Sequence, residues 1–214
     1  MEQLSRKERE SIELKEKRRR EIIQAAMELF EIKGIRNASL REIAKRAELS
    51  KGAVYLYFKS KEDLLFQLMI DYINQMISGV DIRQSDTGYQ CLSRLADFAK
   101  ISYGEHRIFK HMTMNFDLFY TQSYPEDLPA AKEYVTTIQT ILNQVEAFVE
   151  RGIKDASLRC DLEPRRTACT FGNLLSTFGG TTAVRRELLT QEQGVDPYLE
   201  YCDVLDALLA WVKG

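Results

Sequence analysis

Long apolar runs are missing from this chain of 214 residues, although 44% of its residues are hydrophobic. A helix that crosses a bilayer needs about 20 consecutive apolar residues, and no segment approaches that length. The first ten residues, MEQLSRKERE, are charged and do not resemble a secretory signal. We therefore expect a folded, cytoplasmic protein with a sizeable core and no membrane partner.

Cysteine and histidine are scarce, which argues against disulfide bonds and metal sites. The cysteines form no C-x-x-C pair, so we expect reduced thiols packed in the core, at Cys91, Cys160, Cys169 and Cys202. The histidines, His106 and His111, are five residues apart, whereas metal-binding histidines on a helix are usually four apart. We expect no metal, no cofactor, and a structural or pocket-lining role for both histidines.

Catalytic signatures are also missing. The chain has no G-x-S-x-G motif, no glycine-rich phosphate loop and no histidine at a recognisable spacing from a nucleophile. We therefore expect that the protein is not an enzyme.

Charge is distributed unevenly along the chain. The net charge is −2, but residues 1–64 hold 16 Lys and Arg against 12 Asp and Glu, whereas the remainder holds 14 against 20. A basic N-terminal part predicts a polyanionic partner for that part alone. A charged helix in solvent would produce the same bias, so charge alone leaves both interpretations open.

Hydrophobic periodicity and serine caps predict helices. An apolar stripe from Ile22 to Phe30 has the helical period, and Gly34 is a natural end for this first helix. Ser39, Ser50 and Ser60 have the chemistry of helix N-caps, and the first two flank a tight turn. Two short helices joined by such a turn describe a helix-turn-helix, whose second helix lies in the major groove of DNA.

The second short helix has two distinguishable faces. Val54 and Phe58 are four residues apart, so we expect them to anchor the helix to its neighbours. Four residues remain nearer the groove: Lys51, Ala53, Tyr55 and Tyr57. A tyrosine there could bind phosphate through its hydroxyl. In the alternative, both tyrosines cap the core with their hydroxyls in water.

The segment ASLREIAKRAELSKGAVYLYFKSKEDL resembles the DNA-binding domain of the TetR family of bacterial repressors. The match covers residues 18–64 and rests on Ile43, Ala44, Ala47, Ser50, Gly52, Tyr55, Tyr57, Phe58, Lys61 and Leu64. The resemblance implies that Ser39 caps its helix while touching phosphate, and that Tyr55 and Lys61 hold the DNA backbone. It also implies that four residues lie at or near base edges, with Tyr57 close by: Arg41, Lys51, Gly52 and Ala53.

One position departs from the family pattern. The family commonly has Gly in the turn, where this chain has Glu48. Either the turn avoids positive φ, or it carries strain of roughly 1 kcal/mol.

The predicted fold is all-α. Residues 1–17 form a charged N-terminal extension, residues 18–64 a three-helix DNA-binding domain with the helix-turn-helix, and residues 65–214 a larger helical domain for effector binding and dimerisation. For residues 1–14 we expect a frayed, solvated helix. The four cations at residues 17–20 suit an arm that lies along phosphates.

The aromatic and methionine-rich segment from Phe98 to Tyr120 is consistent with ordinary helix core. It also suits an apolar cavity, and the resemblance implies a small effector bound in this region. We expect a hydrophobic or aromatic molecule, oriented by one or two of Tyr103, His106, His111, Asn115 and Asp117. The expected pocket residues are Tyr103, His106, Phe109, Met112, Phe116, Asp117, Tyr120, Phe171 and Phe178.

Small residues recur at steps of four, four, three and four along a helix that we expect to start at Pro164. Such a stripe lets another helix approach closely, either within one chain or across a dimer. The C-terminal segment adds an apolar face, and the resemblance implies a four-helix bundle between two subunits. The expected dimer interface is Ala168, Gly172, Ser176, Gly179, Ala183, Tyr201, Leu205 and Leu208.

These features together predict a sequence-specific DNA-binding transcriptional regulator. We expect a homodimer that binds a near-palindromic operator in double-stranded DNA, represses transcription, and is released by a small apolar or aromatic effector. The alternative is a helical ligand-binding or membrane-surface protein without specific DNA binding, whose basic segment meets anionic lipid. Preference for one DNA sequence over bulk DNA at moderate salt would separate the two.

Overall fold

The computed structural model of the protein describes residues 5–105, 110, 113–114, 116 and 120–213. Within these residues the chain is helical and has no strand, so the predicted all-α fold is confirmed. The first five helices are α1 (Arg6–Asn37), α2 (Leu40–Arg46), α3 (Lys51–Tyr55), α4 (Lys61–Ser78) and α5 (Gly88–Ile101). The later elements are α6 (Pro129–Lys154), α7 (Pro164–Asn173), a π-helical turn (Leu174–Phe178), α8 (Gly179–Val184), α9 (Arg186–Gln193) and α10 (Pro197–Lys213).

Helix α1 has a solvated half and a buried half. Ser5 caps it in a capping box with Glu8, and every residue from Lys7 to Lys17 is exposed. Gly34 has a φ of 75° and interrupts the helical backbone, so the regular helix ends where the sequence predicts and one further turn follows. The boundary expected after Lys17 lies inside this helix, because the helix is continuous from the extension into the first core.

Helices α1 to α4 pack around an apolar core, which we call the head core. Its fully or almost fully buried members include Phe30, Ile43 and Val54 from the first three helices and Phe58 just after α3. Helix α4 carries the core onwards, because its apolar residues from Leu64 to Ile70 are buried as well. The boundary expected after Leu64 therefore also lies inside a helix, and α4 belongs to both parts of the molecule.

An aromatic cluster extends the head core to α6. The ring of Phe66 on α4 lies 5.1 Å from the rings of Phe116 and Tyr120, measured between centroids. Tyr124 and Tyr134 are each 5.7 Å from the same ring. Edge-to-face and tilted pairs of this kind contribute about 0.5–1.5 kcal/mol beyond area burial. The cluster therefore fixes the N-terminal part of α6 against α4.

A second core joins α5, α6, α7 and α10, with Leu92, Val149, Phe171 and Leu205 completely buried. Helices α5 and α6 touch through their backbones at Gly88, where an added Cβ would lie 2.2 Å from the backbone nitrogen of Gly152. The N–H of Gly88 donates to Asp155 at 3.0 Å, which ties the start of α5 to the end of α6.

A π-helical turn interrupts the helix that carries the small-residue stripe. The predicted stripe assumes an uninterrupted α-helix after Pro164, but a π turn inserts one residue and rotates the rest of the helix by about 100°. The early members Gly172 and Ser176 line a cavity, and so does Gly179, where an added Cβ would lie 2.7 Å from the ring of Tyr201.

Several residues of the expected dimer interface are buried within one chain. Five of its residues have buried side chains or backbones inside one chain: Ala168, Gly179, Tyr201, Leu205 and Leu208. Ala183 is partly buried against the second core. The second core covers these residues within one chain, which is the contact that the intramolecular alternative predicts.

The four cysteines are free thiols, but they are not all core residues. Cys91 is buried, as expected, whereas Cys160 is exposed and Cys169 and Cys202 are partly exposed. None of the described helices combines the length and apolar content needed to cross a bilayer.

Candidate functional site

The helix-turn-helix forms as the sequence predicts. Ser39 and Ser50 cap α2 and α3, with their hydroxyls accepting from the N–H groups of Glu42 at 3.3 Å and Ala53 at 3.1 Å. Val54 and Phe58 are both 0% exposed, so the anchoring face of α3 is the predicted one. The helix ends at Tyr55 and a turn leads to Phe58.

The two tyrosines of α3 and its following turn have different environments. Tyr55 is 45% exposed, and the Lys51 ammonium lies 5.4 Å from the centroid of its ring. Tyr57 is half-buried and packs against the head core. The groove-facing interpretation therefore fits Tyr55, and the core-capping alternative fits Tyr57.

The sequence reasoning missed Leu56, which is 86% exposed beside Tyr55. The exposure of Leu56 could have been predicted from the sequence, because this residue lies two positions from both Val54 and Phe58 and therefore opposite the buried face. An apolar side chain is ordinarily expected to be buried, so its residue type gave no indication of exposure. An exposed leucine on this surface can contact a thymine methyl group in the major groove.

Two cations on the exposed surface of the head are available to DNA. Arg41 and Lys51 are exposed and form no ion pair with another described residue. Lys33 and Arg46, in contrast, pair with Glu42 and Glu28. The Lys33 contact, helped by Ser39, lowers the pKa of Glu42 below its usual range.

The remaining expected DNA contacts lie around these cations. Ser39 and Gly52 are exposed, and Ala53 is half-buried. Lys61 has a role inside the head that was not expected, since its ammonium donates to the carbonyls of Ile35 at 2.9 Å and Arg36 at 3.2 Å. A lysine has three N–H donors, so one remains for a phosphate while two tie α4 to the end of α1.

Of the two alternatives for the turn at Glu48, the structure has the strained one, in which φ is positive. Glu48 has a φ of 55°, and two hydrogen bonds close the end of α2: Leu49 N–H to Ala44 C=O at 2.9 Å and Glu48 N–H to Lys45 C=O at 3.3 Å. This is a Schellman motif with Glu at the position that usually holds Gly. A left-handed conformation costs a non-glycine residue about 1–2 kcal/mol.

Replacing Glu48 with Gly should therefore raise the free energy of unfolding by about 0.5–1 kcal/mol, because relief of the strain outweighs the greater freedom of Gly in the unfolded chain. Urea unfolding measures the change. Glu48→Ala is the control, since Ala removes the charge but keeps the steric cost. Equal stabilisation by both variants would assign the gain to charge instead of backbone strain.

A cavity of about 470 Å³ lies in the larger part of the molecule. Its walls come from the C-terminal half of α4, from α5 and α6, and from the π-helical turn with its neighbours. Most of the described lining is aliphatic or aromatic, including Met69, Ile73, Met76, Phe98, Ile138, Ile141, Leu142 and Val145. The volume and lining are those of a small-molecule site.

The cavity wall is a low-dielectric environment for its ionisable groups. Burial raises the pKa of the Tyr72 hydroxyl to about 12. Burial likewise lowers the pKa of the Lys110 ammonium to about 8, against a small opposing attraction from Glu105. Both shifts favour the neutral form, as desolvation does.

The structure corrects several of the expected pocket residues. Tyr103 lines the cavity. Phe116 and Tyr120 do not, because they stack on Phe66 in the aromatic cluster. Phe171 is completely buried in the second core, and Phe178 packs against that core near Tyr201. The other expected pocket residues lie outside the described residues: His106, Phe109, Met112 and Asp117. His111 and Asn115, which were expected to orient the effector, also lie outside them.

Comparison with known proteins identifies the N-terminal helices. Residues 22–68 match the family model described as bacterial regulatory proteins, tetR family. The HTH-type transcriptional regulator YuxN of Bacillus subtilis is 42% identical over 59 residues, which are 28% of this chain and only 20% of YuxN. The match therefore spans one fifth of that relative.

Two further proteins are similar over more of the chain. The fatty acid metabolism regulator protein of Bacillus subtilis is 27% identical over 148 residues, covering 68% of this chain and 73% of the relative. The crystal structure of the transcriptional regulator FadR from Bacillus subtilis in complex with stearoyl-CoA has a TM-score of 0.65 at 22% identity, covering 90% of this chain and 98% of that one. Residues 22–68 therefore match the DNA-binding domain of the TetR family of bacterial transcriptional regulators, and the chain as a whole has a fold similar to that of FadR.

Proposed function

We propose that the protein is a homodimeric repressor that binds a near-palindromic operator and is released when an apolar molecule occupies the cavity. The observation that carries the proposal is the position of α4. This one helix begins beside the DNA-binding surface and ends in the cavity wall.

The two ends of α4 have separate contacts. At its start, the Lys61 ammonium bonds to the end of α1, and Leu64 and Leu65 are buried in the head core. At its end, Ile73 and Met76 face the cavity. A ligand that pushes on the second half would reorient the first half and, with it, the head. In a dimer this changes the separation of the two heads, which must match successive major grooves.

The effector class follows from the cavity wall and is supported by the relatives. The described lining is mostly aliphatic, so the favourable contribution to binding comes from burial of apolar ligand surface. One relative is named a fatty acid metabolism regulator, and one similar structure is a complex with stearoyl-CoA. We therefore favour an effector with a long aliphatic part over a compact aromatic one.

The dimer would use surfaces that one chain leaves open. Leu199 is 56% exposed and Trp211 is 40% exposed, both on α10. Leu188 on α9 is 46% exposed. A second copy could cover these side chains and would bring the two heads to a fixed spacing, as a two-fold operator requires.

Selection from random DNA should yield a near-palindromic operator, and Lys51→Ala should weaken binding to it by about 1–3 kcal/mol or change the preferred base at one position per half-site. Lys132→Ala is the control, because Lys132 is exposed on α6, far along the chain from the head. Selection of no consensus sequence would contradict the operator proposal.

The effector part is tested on the selected operator with dodecan-1-ol and dodecanoate, each added separately. At least one should raise the melting temperature and lower operator affinity, because a ligand that prefers one conformation does both. If a compound stabilises the protein without any change in operator affinity, the cavity binds a ligand but does not control DNA binding.

A further inference from the structure

One charged side chain stands in the apolar cavity wall. Lys110 is only 9% exposed, and among the described lining residues it is the one that carries a formal charge. Its ammonium lies 5.4 Å from the centroid of the Tyr103 ring, which also lines the cavity. Burial of a charge without a counter-ion is costly, so this position calls for an explanation.

The protein supplies part of the solvation that Lys110 loses. Its Nζ donates to the carbonyl oxygen of Ser102 at 2.7 Å and to that of Tyr103. Both carbonyls lie just past the C-terminal end of α5, where the helix dipole also favours a cation. These acceptors are neutral dipoles, so they orient the ammonium without neutralising it. No ion pair joins Lys110 to an acid among the described residues.

Among the described residues, nothing accepts the third N–H of the Lys110 ammonium. An ammonium has three N–H donors, and two are directed at Ser102 and Tyr103. An anionic oxygen on a ligand would take the third and would form a charge-assisted hydrogen bond, which is stronger than a neutral one. The low dielectric of the wall strengthens that attraction further.

We propose that Lys110 anchors the carboxylate of an apolar monocarboxylic acid whose hydrocarbon part fills the cavity. The inference rests on the proposed function, because it names the ligand of the same cavity. One cation in an otherwise uncharged described lining matches one negative charge. A polyanionic end group would leave charges unpaired in an apolar wall.

The test measures how head-group charge affects binding at constant chain length. Isothermal titration of the full-length protein with dodecanoate, dodecan-1-ol and dodecylamine should rank the acid first, at least about tenfold tighter than the alcohol, with the amine weakest. Lys110→Met should remove the preference for the acid, and Lys110→Arg should keep it. Lys132→Met, which removes an exposed lysine from α6, should retain the wild-type ranking.

The ranking of the three compounds is measured on the wild-type protein, so a folding defect in Lys110→Met cannot obscure that result. Equal affinity of the wild-type protein for acid and alcohol would overturn the role of Lys110. It would not contradict the proposal that an apolar ligand in the cavity releases the operator. A preference for the acid that survives in folded Lys110→Met would overturn it as well. Failure of all three compounds to bind would overturn both this inference and the effector part of the proposed function.

Discussion

Replacing Phe58 with Ala is expected to lower the free energy of unfolding by about 3–5 kcal/mol and to abolish operator binding. Phe58 is 0% exposed and closes the head core directly after α3. Arg19 of α1 lies over its ring at 5.8 Å and pairs with Asp71 of α4 at 2.7 Å. Removal of the ring would therefore leave a cavity where three helices meet. Urea unfolding and operator titration are the two measurements.

Leu56→Ala is the matched control for Phe58→Ala. Leu56 is two residues away and 86% exposed, so its truncation should change stability by less than about 0.5 kcal/mol. Any loss of operator affinity in that variant would then report a direct contact with DNA. A destabilisation as large as that of Phe58→Ala would contradict the assignment of the two faces.

Replacing Gly88 with Ala should lower the free energy of unfolding by about 3 kcal/mol, at the upper end of the usual cost of overpacking. The new Cβ would clash with three backbone atoms of α6: the nitrogen and Cα of Gly152 at 2.2 and 2.3 Å, and the carbonyl oxygen of Phe148 at 2.4 Å. Backbone atoms of a packed helix cannot rotate away as a side chain can. The two helices must separate, and both line the cavity.

Thermal unfolding of Gly88→Ala should be compared with that of Gly104→Ala. A Cβ at Gly104 would meet no atom of the described residues within 4 Å, so that variant should be neutral or more stable by up to about 1 kcal/mol. Similar melting temperatures for the two variants would show that α5 and α6 can part without cost, and would contradict the close approach at Gly88.

The head could be predicted from the sequence because its signals are local. An N-cap serine is recognised from the residues of the next turn, and Ser39, Ser50 and Ser60 all cap as expected. The spacing of Val54 and Phe58 likewise gave the buried face. The conformation of Glu48 was not predictable, because the hydrogen bonds that close α2 impose a positive φ on whichever residue stands there.

The cavity could not be predicted because a helix face that lines a void has the same periodicity as one that packs in a core. Ile138 and Val145 on α6 carry that periodicity and line the cavity. Phe116 has the same side-chain chemistry, yet it stacks on Phe66. What separates the two cases is the distance between helices, which depends on tertiary packing.

The helix after Pro164 shows a different limit of sequence reasoning. The small-residue spacing is correct for an α-helix, but one residue inserted at the π-helical turn changes the direction of every later side chain. Sequence spacing alone does not reveal such an insertion, because LLSTF has no residue that requires it.

Helix α4 is long enough that a small tilt of its axis displaces its two ends measurably relative to each other. Its 18 residues span about 27 Å at 1.5 Å per residue. A tilt of the axis by about 5° displaces one end relative to the other by roughly 2 Å over that length. Hydrogen bonds to base edges tolerate only a few tenths of an ångström before they weaken. Under the proposed function, a ligand that displaces one end of α4 by less than the width of one methyl group would therefore disengage the head from its operator.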